Sequence, residues 1–254
     1  MEDHGGNDYI VNSIVRHGLA DYEKPLPFLL AGFALTFGEP FLDIGANTGL
    51  YSFLYGTLAP NAVVHAFEPL PHIAQALAAN VNLNPHLAGR VYVDRFALSD
   101  REGTVTFYET INELGFFSTS SSLLETRAKS IGRYRREQVK TRTLDEFVAQ
   151  QKLRFGIAKI DVEGNEPAVL AGARGAMEQN RPIVVIEVQR DADYKRLSDW
   201  AASARYIPYA LCPDLVLRLD GVEYVAGADN QVLCPAEQVE KLIAVTERVD
   251  LLLS

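Results

Sequence analysis

The segment FLDIGANTGLYS, Phe41 to Ser52, has the residue types and spacing of an anion-binding turn. An apolar run carries an acid, Asp43, then reaches Gly45, and a helical run follows from Leu50 to Leu58. Such a turn aims backbone N–H groups and the positive end of a helix at a negatively charged group. A dinucleotide site of this design needs G-x-G-x-x-G, so that the backbone can approach a pyrophosphate. Here Asn47 stands where the second glycine belongs and Leu50 where the third belongs. The Asn47 side chain would crowd a pyrophosphate, which disfavours a nicotinamide-dependent oxidoreductase. An amino-acid head group fits better, its carboxylate on the N–H groups and its ammonium facing Asp43. S-adenosylmethionine carries that head group.

A second acid, Glu68, ends the next strand-like run, 23 residues after Gly45. A carboxylate there can accept both hydroxyls of a ribose. Further acids gather after two later runs. Asp161, Glu163 and Glu166 lie at or after the end of the run Ile157 to Val162, and Glu187 at the end of the run Ile183 to Val188. If the first of these strands extends through Val162 and beyond, alternation puts Lys159, Asp161 and Glu163 on one side. Carboxylates so placed suit removal of a proton from an acceptor group. Asp161, Glu163 and Glu187 are the candidate catalytic residues. Glu166, in a first helical turn, reads as a helix-dipole partner, and Lys159 as an ion-pair partner. Carboxylates at strand ends also suit Mg²⁺, but no ligand set has a diagnostic spacing, and no metal is assigned.

These residues need a scaffold that brings strand ends together. The chain alternates short β-rich runs with amphipathic helical runs, the pattern of a parallel sheet covered on both faces. Strands are predicted at Phe41–Ile44, Ala62–Phe67, Val91–Leu98, Ile157–Val162 and Ile183–Val188, with an added antiparallel piece at Thr104–Tyr108. After Pro71, Ile73, Leu77 and Val81 keep one helical face, and Asn165 can cap a helix that begins at Glu166. The tail from Pro235 reads as a helix carrying Val239, Leu242 and Val249. Residues 1–38 read as an N-terminal helical cap. Residues 110–138 break the rhythm, hold the cluster Ser118–Ser122 and read as an inserted lid. One domain spans residues 1–254. The stretch Arg127 to Arg142 carries seven basic residues (Arg127, Lys129, Arg133, Arg135, Arg136, Lys140, Arg142) against Glu137. They read either as ion-paired surface or as a capture site for an anionic handle on the acceptor.

With 254 residues, 48% of them apolar, the chain can bury a core. Its net charge of −9 argues against nucleic acid or an anionic membrane as a partner. The longest apolar stretch, Phe28 to Phe37, is ten residues, far short of a spanning helix. The start MEDHGGND has no secretory pattern, and Cys212 and Cys234 read as free thiols, so a cytoplasmic protein is expected. The oligomeric state is left open.

Further blocks come in order: HAFEPLPHIAQALAANVNLNP (His65–Pro85), RFALSDREGTVTFYE (Arg95–Glu109), TRTLDEF (Thr141–Phe147), IAKIDVEGNEPAVLAGA (Ile157–Ala173) and IVVIEV (Ile183–Val188). With LDIGANTGLYS they resemble the FkbM family of S-adenosylmethionine-dependent methyltransferases, from about Tyr22-Glu23 to DNQVLCP near Asn230. The resemblance implies a Rossmann-like class I methyltransferase fold, α/β, with a seven-stranded, mostly parallel sheet and an antiparallel strand among the last. It implies O-methylation of a hydroxyl on a sugar or natural product, free or carrier-bound. The positions it carries over are Asp43, Gly45, Asn47 and Gly49 for the cofactor loop, with Ala46 and Tyr51 beside them. Glu68 with Pro69 corresponds to the ribose acid, Ala97, Leu98 and Ser99 flank the adenine, and Asp161 lies next to the transferred methyl. Many members have Glu-x-His at the strand-five position, but here Glu187 is followed by Val188 and Gln189. A non-catalytic cofactor-binding protein, or methylation of a carboxylate or amine, are the alternatives.

Overall fold

Short strands separated by helices must bury both faces of the sheet they form. The structure is a computed structural model that describes residues 1, 8–110 and 121–253. Its strands are β1 (Phe41–Ile44), β2 (Val64–Phe67), β3 (Val91–Asp94), β4 (Ala97–Leu98), β5 (Gly103–Thr110), β6 (Tyr134–Arg142), β7 (Ile157–Ile160), β8 (Ile183–Glu187), β9 (Tyr206–Cys212), β10 (Leu215–Arg218), β11 (Asn230–Pro235) and β12 (Leu252–Leu253). Nine of them form one sheet in the order β12-β10-β9-β11-β8-β7-β1-β2-β3. From β3 to β8 all neighbours are parallel, and β11 runs antiparallel between β8 and β9. The sheet has nine strands where seven are expected, with β10 and β12 beyond β9 at one edge.

The helices are α1 (Tyr9–His17), α2 (Leu26–Thr36), α3 (Leu50–Leu58), α4 (Pro71–Asn82), α5 (Glu125–Ile131), α6 (Leu144–Gln151), α7 (Glu166–Ala171), α8 (Arg174–Asn180), α9 (Tyr194–Ala204) and α10 (Val239–Arg248). Alternation along β1 assigns the two faces. Phe41 packs with Leu29, Phe33, Tyr55 and Leu242 of α2, α3 and α10. Leu42 and Ile44 pack with Phe147, Leu170, Met177 and Leu197 of α6 to α9. In α4, Ile73, Leu77 and Val81 are buried as their spacing predicts.

Four expectations change. The run Val91–Leu98 divides, because Phe96 N–H turns back onto Asp94 C=O, 3.1 Å. Ala97 and Leu98 then join a small second sheet, β4-β6-β5, in which β5 and β6 pair along their length. The basic end of the expected lid is therefore a strand, β6. Residues 111–120, the first part of that lid, lie outside the described residues. The strand after Ile157 stops at Ile160, so alternation does not reach Glu163, which has a left-handed backbone, φ 57°. Asn165 occupies the N-cap of α7 without a side-chain capping bond. Glu166 folds back instead, its Oε1 accepting from Val162 N–H and Gly164 N–H at 3.1 Å each. Both cysteines are free, and no helix among the described residues is long and apolar enough to cross a membrane.

Candidate active site

The strand order reverses direction between β1 and β7, and open α/β sheets bind ligands at that point, beyond the carboxyl ends of the strands. A cavity of about 400 Å³ opens there. Its floor comes from the turn after β1. Gly45 has φ 85°, and a Cβ on it would overlap the carbonyl oxygen of Asp161, so only glycine lets the two loops touch. Gly49, φ 98°, starts α3 and lies against Phe53 and Leu77.

Asp43 is 1% exposed and accepts a hydrogen bond from Ser52 Oγ at 2.7 Å. Its other oxygen, Oδ1, is buried with no hydrogen-bond partner among the described residues. Burial pushes its carboxyl pKa up, against the pull of Lys159. Glu68 takes Asn47 N–H on Oε2, 3.2 Å, and Leu70 N–H on Oε1, 2.9 Å. Each oxygen keeps a further acceptor position. Burial raises the Glu68 pKa to about 7.

At the other end Lys159, 3% exposed, donates to Asp161 Oδ2 at 2.6 Å and lies 5.1 Å from the centre of the Tyr51 ring. Burial disfavours its charge, but Asp161, Glu23 and Asp43 outweigh burial and hold the ammonium above its ordinary pKa. Asp161, Glu163 and Glu187 converge despite the early end of β7, with carboxylate oxygens within 4.8 Å of one another, a spacing that could hold a metal ion. No spacing in the sequence shows this set, because a tight turn rather than a strand brings Glu163 inward. Gln189 Nε2 donates to Glu163 Oε2 and to Glu187 Oε2, 2.7 Å each. Burial raises the Glu187 pKa well above the carboxylate range, and the charges of Asp161 and Glu163 add to it. Ser122, buried beside β5, donates to the backbone carbonyl of Glu163 at 2.6 Å and pairs with Tyr108. The small sheet is thus fastened to the turn that carries Glu163.

Of the predicted positions, Asp43, Gly45, Ala46, Asn47, Tyr51, Glu68, Pro69, Ala97, Leu98, Asp161, Glu163 and Glu187 line this cavity. Gly49 and Ser99 do not. Gly49 shapes the turn from beneath, and Ser99 is held at the root of the small sheet, its N–H on Arg142 C=O. Tyr22, Glu23, Phe96 and Gln189 line the cavity without having been assigned. Gln189 was visible only as a departure from Glu-x-His, and Glu23 only as the edge of a resemblance. None of the six basic residues that follow Arg127 lines it. Arg135 bonds Glu109, 2.6 Å, and Arg136 bonds Glu125, 2.8 Å, while the side chain of Arg127 lies outside the described atoms.

Comparison with known proteins adds an independent line. The family model "Methyltransferase FkbM domain" matches residues 43–210. The 31-O-demethyl-FK506 methyltransferase FkbM of Streptomyces tacrolimicus is 26% identical over 239 residues, 85% of this chain and 84% of that protein. The hexuronic acid methyltransferase AglP of Haloferax volcanii is 28% identical over 167 residues, 64% of this chain and 61% of that protein. Among solved structures, methyltransferase FkbM from Methylobacillus flagellatus aligns with TM-score 0.53 at 17% identity, covering 77% of this chain and 43% of that one. This last likeness concerns the fold alone.

Proposed function

The chain belongs to the FkbM methyltransferase family, and from that premise we propose that it methylates a hydroxyl on a sugar or natural-product acceptor. S-adenosylmethionine is the cofactor, and the cavity suits it. The N–H groups of the Gly45 turn are taken up within the protein, those of Gly45 and Ala46 by Phe67 C=O, that of Asn47 by Glu68 and that of Thr48 by the Asn47 side chain. The turn instead lets the cavity approach the strand ends, where the orphaned Asp43 Oδ1 adds negative charge near the amino-acid end. Glu68 keeps acceptor positions for ribose hydroxyls, and Phe96, Ala97 and Leu98 offer an apolar wall to a base. When bound, S-adenosylmethionine supplies an activated methyl group.

The observation that carries the reading is the convergence of Asp161, Glu163 and Glu187 under one amide, Gln189. Lys159 occupies Asp161 and keeps it from serving as a free base. Burial and the charges of Asp161 and Glu163 disfavour the charged form of Glu187, so Glu163 is the better placed of the two to take the acceptor proton. Gln189 cannot titrate and holds the two carboxyl groups in register. The backbone and small sheet around them fix the acceptor oxygen in line, and alignment of this kind is worth several kcal/mol or more of a barrier. General-base help adds about 10²–10⁴-fold.

The relatives' names support an oxygen acceptor, one specifying a 31-O position and the other a hexuronic acid. The test is a screen with methyl-labelled S-adenosylmethionine against neutral sugars, uronic acids, amino sugars and polyketide alcohols. Label transfer to a hydroxyl is expected. Transfer only to carboxylates or amines overturns O-methylation of alcohols, and tight cofactor binding without any transfer points to a binding protein.

A further inference from the structure

We propose that Glu23 is a cofactor-binding residue: its carboxylate receives the ammonium group at the amino-acid end of S-adenosylmethionine, and the N-terminal segment closes that end of the cavity. This rests on the reading of the cavity as the cofactor site. Glu23 lies between α1 and α2, outside residues 43–210 that match the family model.

Four observations converge on it. First, Glu23 lines the same cavity as Gly45 and Asp43 and is open to it, whereas Asp43 is 1% exposed and tied to Ser52. Direct contact with a ligand cation therefore falls to Glu23, and Asp43 acts from beneath the floor. Second, its carboxylate is fixed. The Tyr51 hydroxyl donates to Oε2 at 2.7 Å. A carboxylate has about four acceptor positions, so others remain for a ligand.

Third, the charges do not balance without a ligand. Glu23, Asp43 and Asp161 surround one cation, Lys159, and Lys159 bonds Asp161. Glu23 and Asp43 form no ion pair among the described residues. The two uncompensated carboxylates match the two positive charges of the cofactor, its ammonium and its sulfonium. The protein packed around Glu23 and the charge of Asp161 raise its pKa despite Lys159, as expected of an anion awaiting a cation. Fourth, Glu23 has φ 50°, a left-handed backbone rare outside glycine, and that conformation turns the side chain towards Tyr51 at the start of α3.

The test is calorimetry on the full chain with two ligands, S-adenosylhomocysteine and 5′-methylthioadenosine, which share the nucleoside and sulfur but not the amino-acid end. Glu23→Gln should weaken S-adenosylhomocysteine at least tenfold and change 5′-methylthioadenosine less than twofold. Tyr51→Phe, which frees the carboxylate, should give a smaller loss with the same selectivity, and it decides the matter if Glu23→Gln does not fold. Unchanged affinity for S-adenosylhomocysteine, or an equal loss for both ligands, overturns the assignment. A wild-type chain that binds neither ligand defeats the cofactor reading itself, and this inference with it.

Discussion

The Lys159 ammonium lies 2.6 Å from Asp161 Oδ2, and Lys159 stands in register with Asp43 on the neighbouring strand. One buried cation thus touches the acceptor side of the cavity and approaches the donor side. It neutralises the acid that the sequence alone would make the first choice for catalysis. In the proposed mechanism the chemistry passes to the two carboxyl groups that Gln189 bridges.

Glu163→Gln should therefore lower single-turnover methyl transfer by about 10²–10⁴-fold. Affinity for S-adenosylhomocysteine should stay within about threefold, because Glu163 takes no part in holding the cofactor. Rapid-quench measurement with labelled cofactor and an acceptor from the screen separates the two effects. A variant within tenfold of wild type would move the base role to Glu187.

Removing the ribose acid acts on the donor side. Hydrogen bonds to a charged group contribute roughly 1.5–3 kcal/mol each. Loss of two in Glu68→Ala should weaken S-adenosylhomocysteine at least about a hundredfold, measured by calorimetry. Wild-type affinity in a folded variant would falsify the ribose assignment.

Gly45→Ala tests the contact between the loops. The new methyl overlaps the Asp161 carbonyl, and alanine also resists φ 85°. A cost of about 3 kcal/mol is expected, a fall of roughly 6–12 °C in Tm for a chain of this size. A melting curve that superimposes on wild type would show that the loops can part without penalty.

Glu166 gives a pH signature. Burial raises its folded pKa to about 7, against 4.5 for the ordinary carboxyl. The folded chain therefore keeps a proton that the unfolded chain releases. The stability it contributes is complete below pH 4.5 and lost as pH rises through 7. Glu166→Gln keeps an oxygen for Val162 N–H and Gly164 N–H but does not titrate. Relative to wild type it should gain up to about 3 kcal/mol between pH 5 and pH 8, followed by urea unfolding. A difference that stays constant with pH would place the Glu166 carboxyl near its ordinary value.

The parts legible in sequence were those governed by local periodicity. Ile73, Leu77 and Val81 mark a helix face, and Phe41 to Ile44 mark a strand, because burial on one or both sides leaves its period in the chain. The Gly45 turn was legible because few residues tolerate its backbone. The convergence of Glu163 with Glu187 was not, since it depends on a left-handed turn that alternation cannot foresee. Glu23 reaches the cavity through the packing of α1 and α2, and nothing in its neighbours' pattern announces that. The basic run from Arg127 drew attention as a charge excess, yet Arg135 and Arg136 are matched by Glu109 and Glu125, whose positions in the fold decide the matter.

The bond from Ser122 to the Glu163 carbonyl ties the small sheet to the turn that carries the proposed base. Fit and speed are then one mechanical variable. A substitution on the inner side of β5 or β6 that loosens the grip on the acceptor also displaces the carboxylate, so KM and kcat shift in concert. With Glu163 as the proposed base, retargeting this enzyme to a new acceptor by reshaping the small sheet will carry a turnover penalty unless Ser122 keeps its hold. Changes made on the Gln189 side reach the acceptor without passing through that strut.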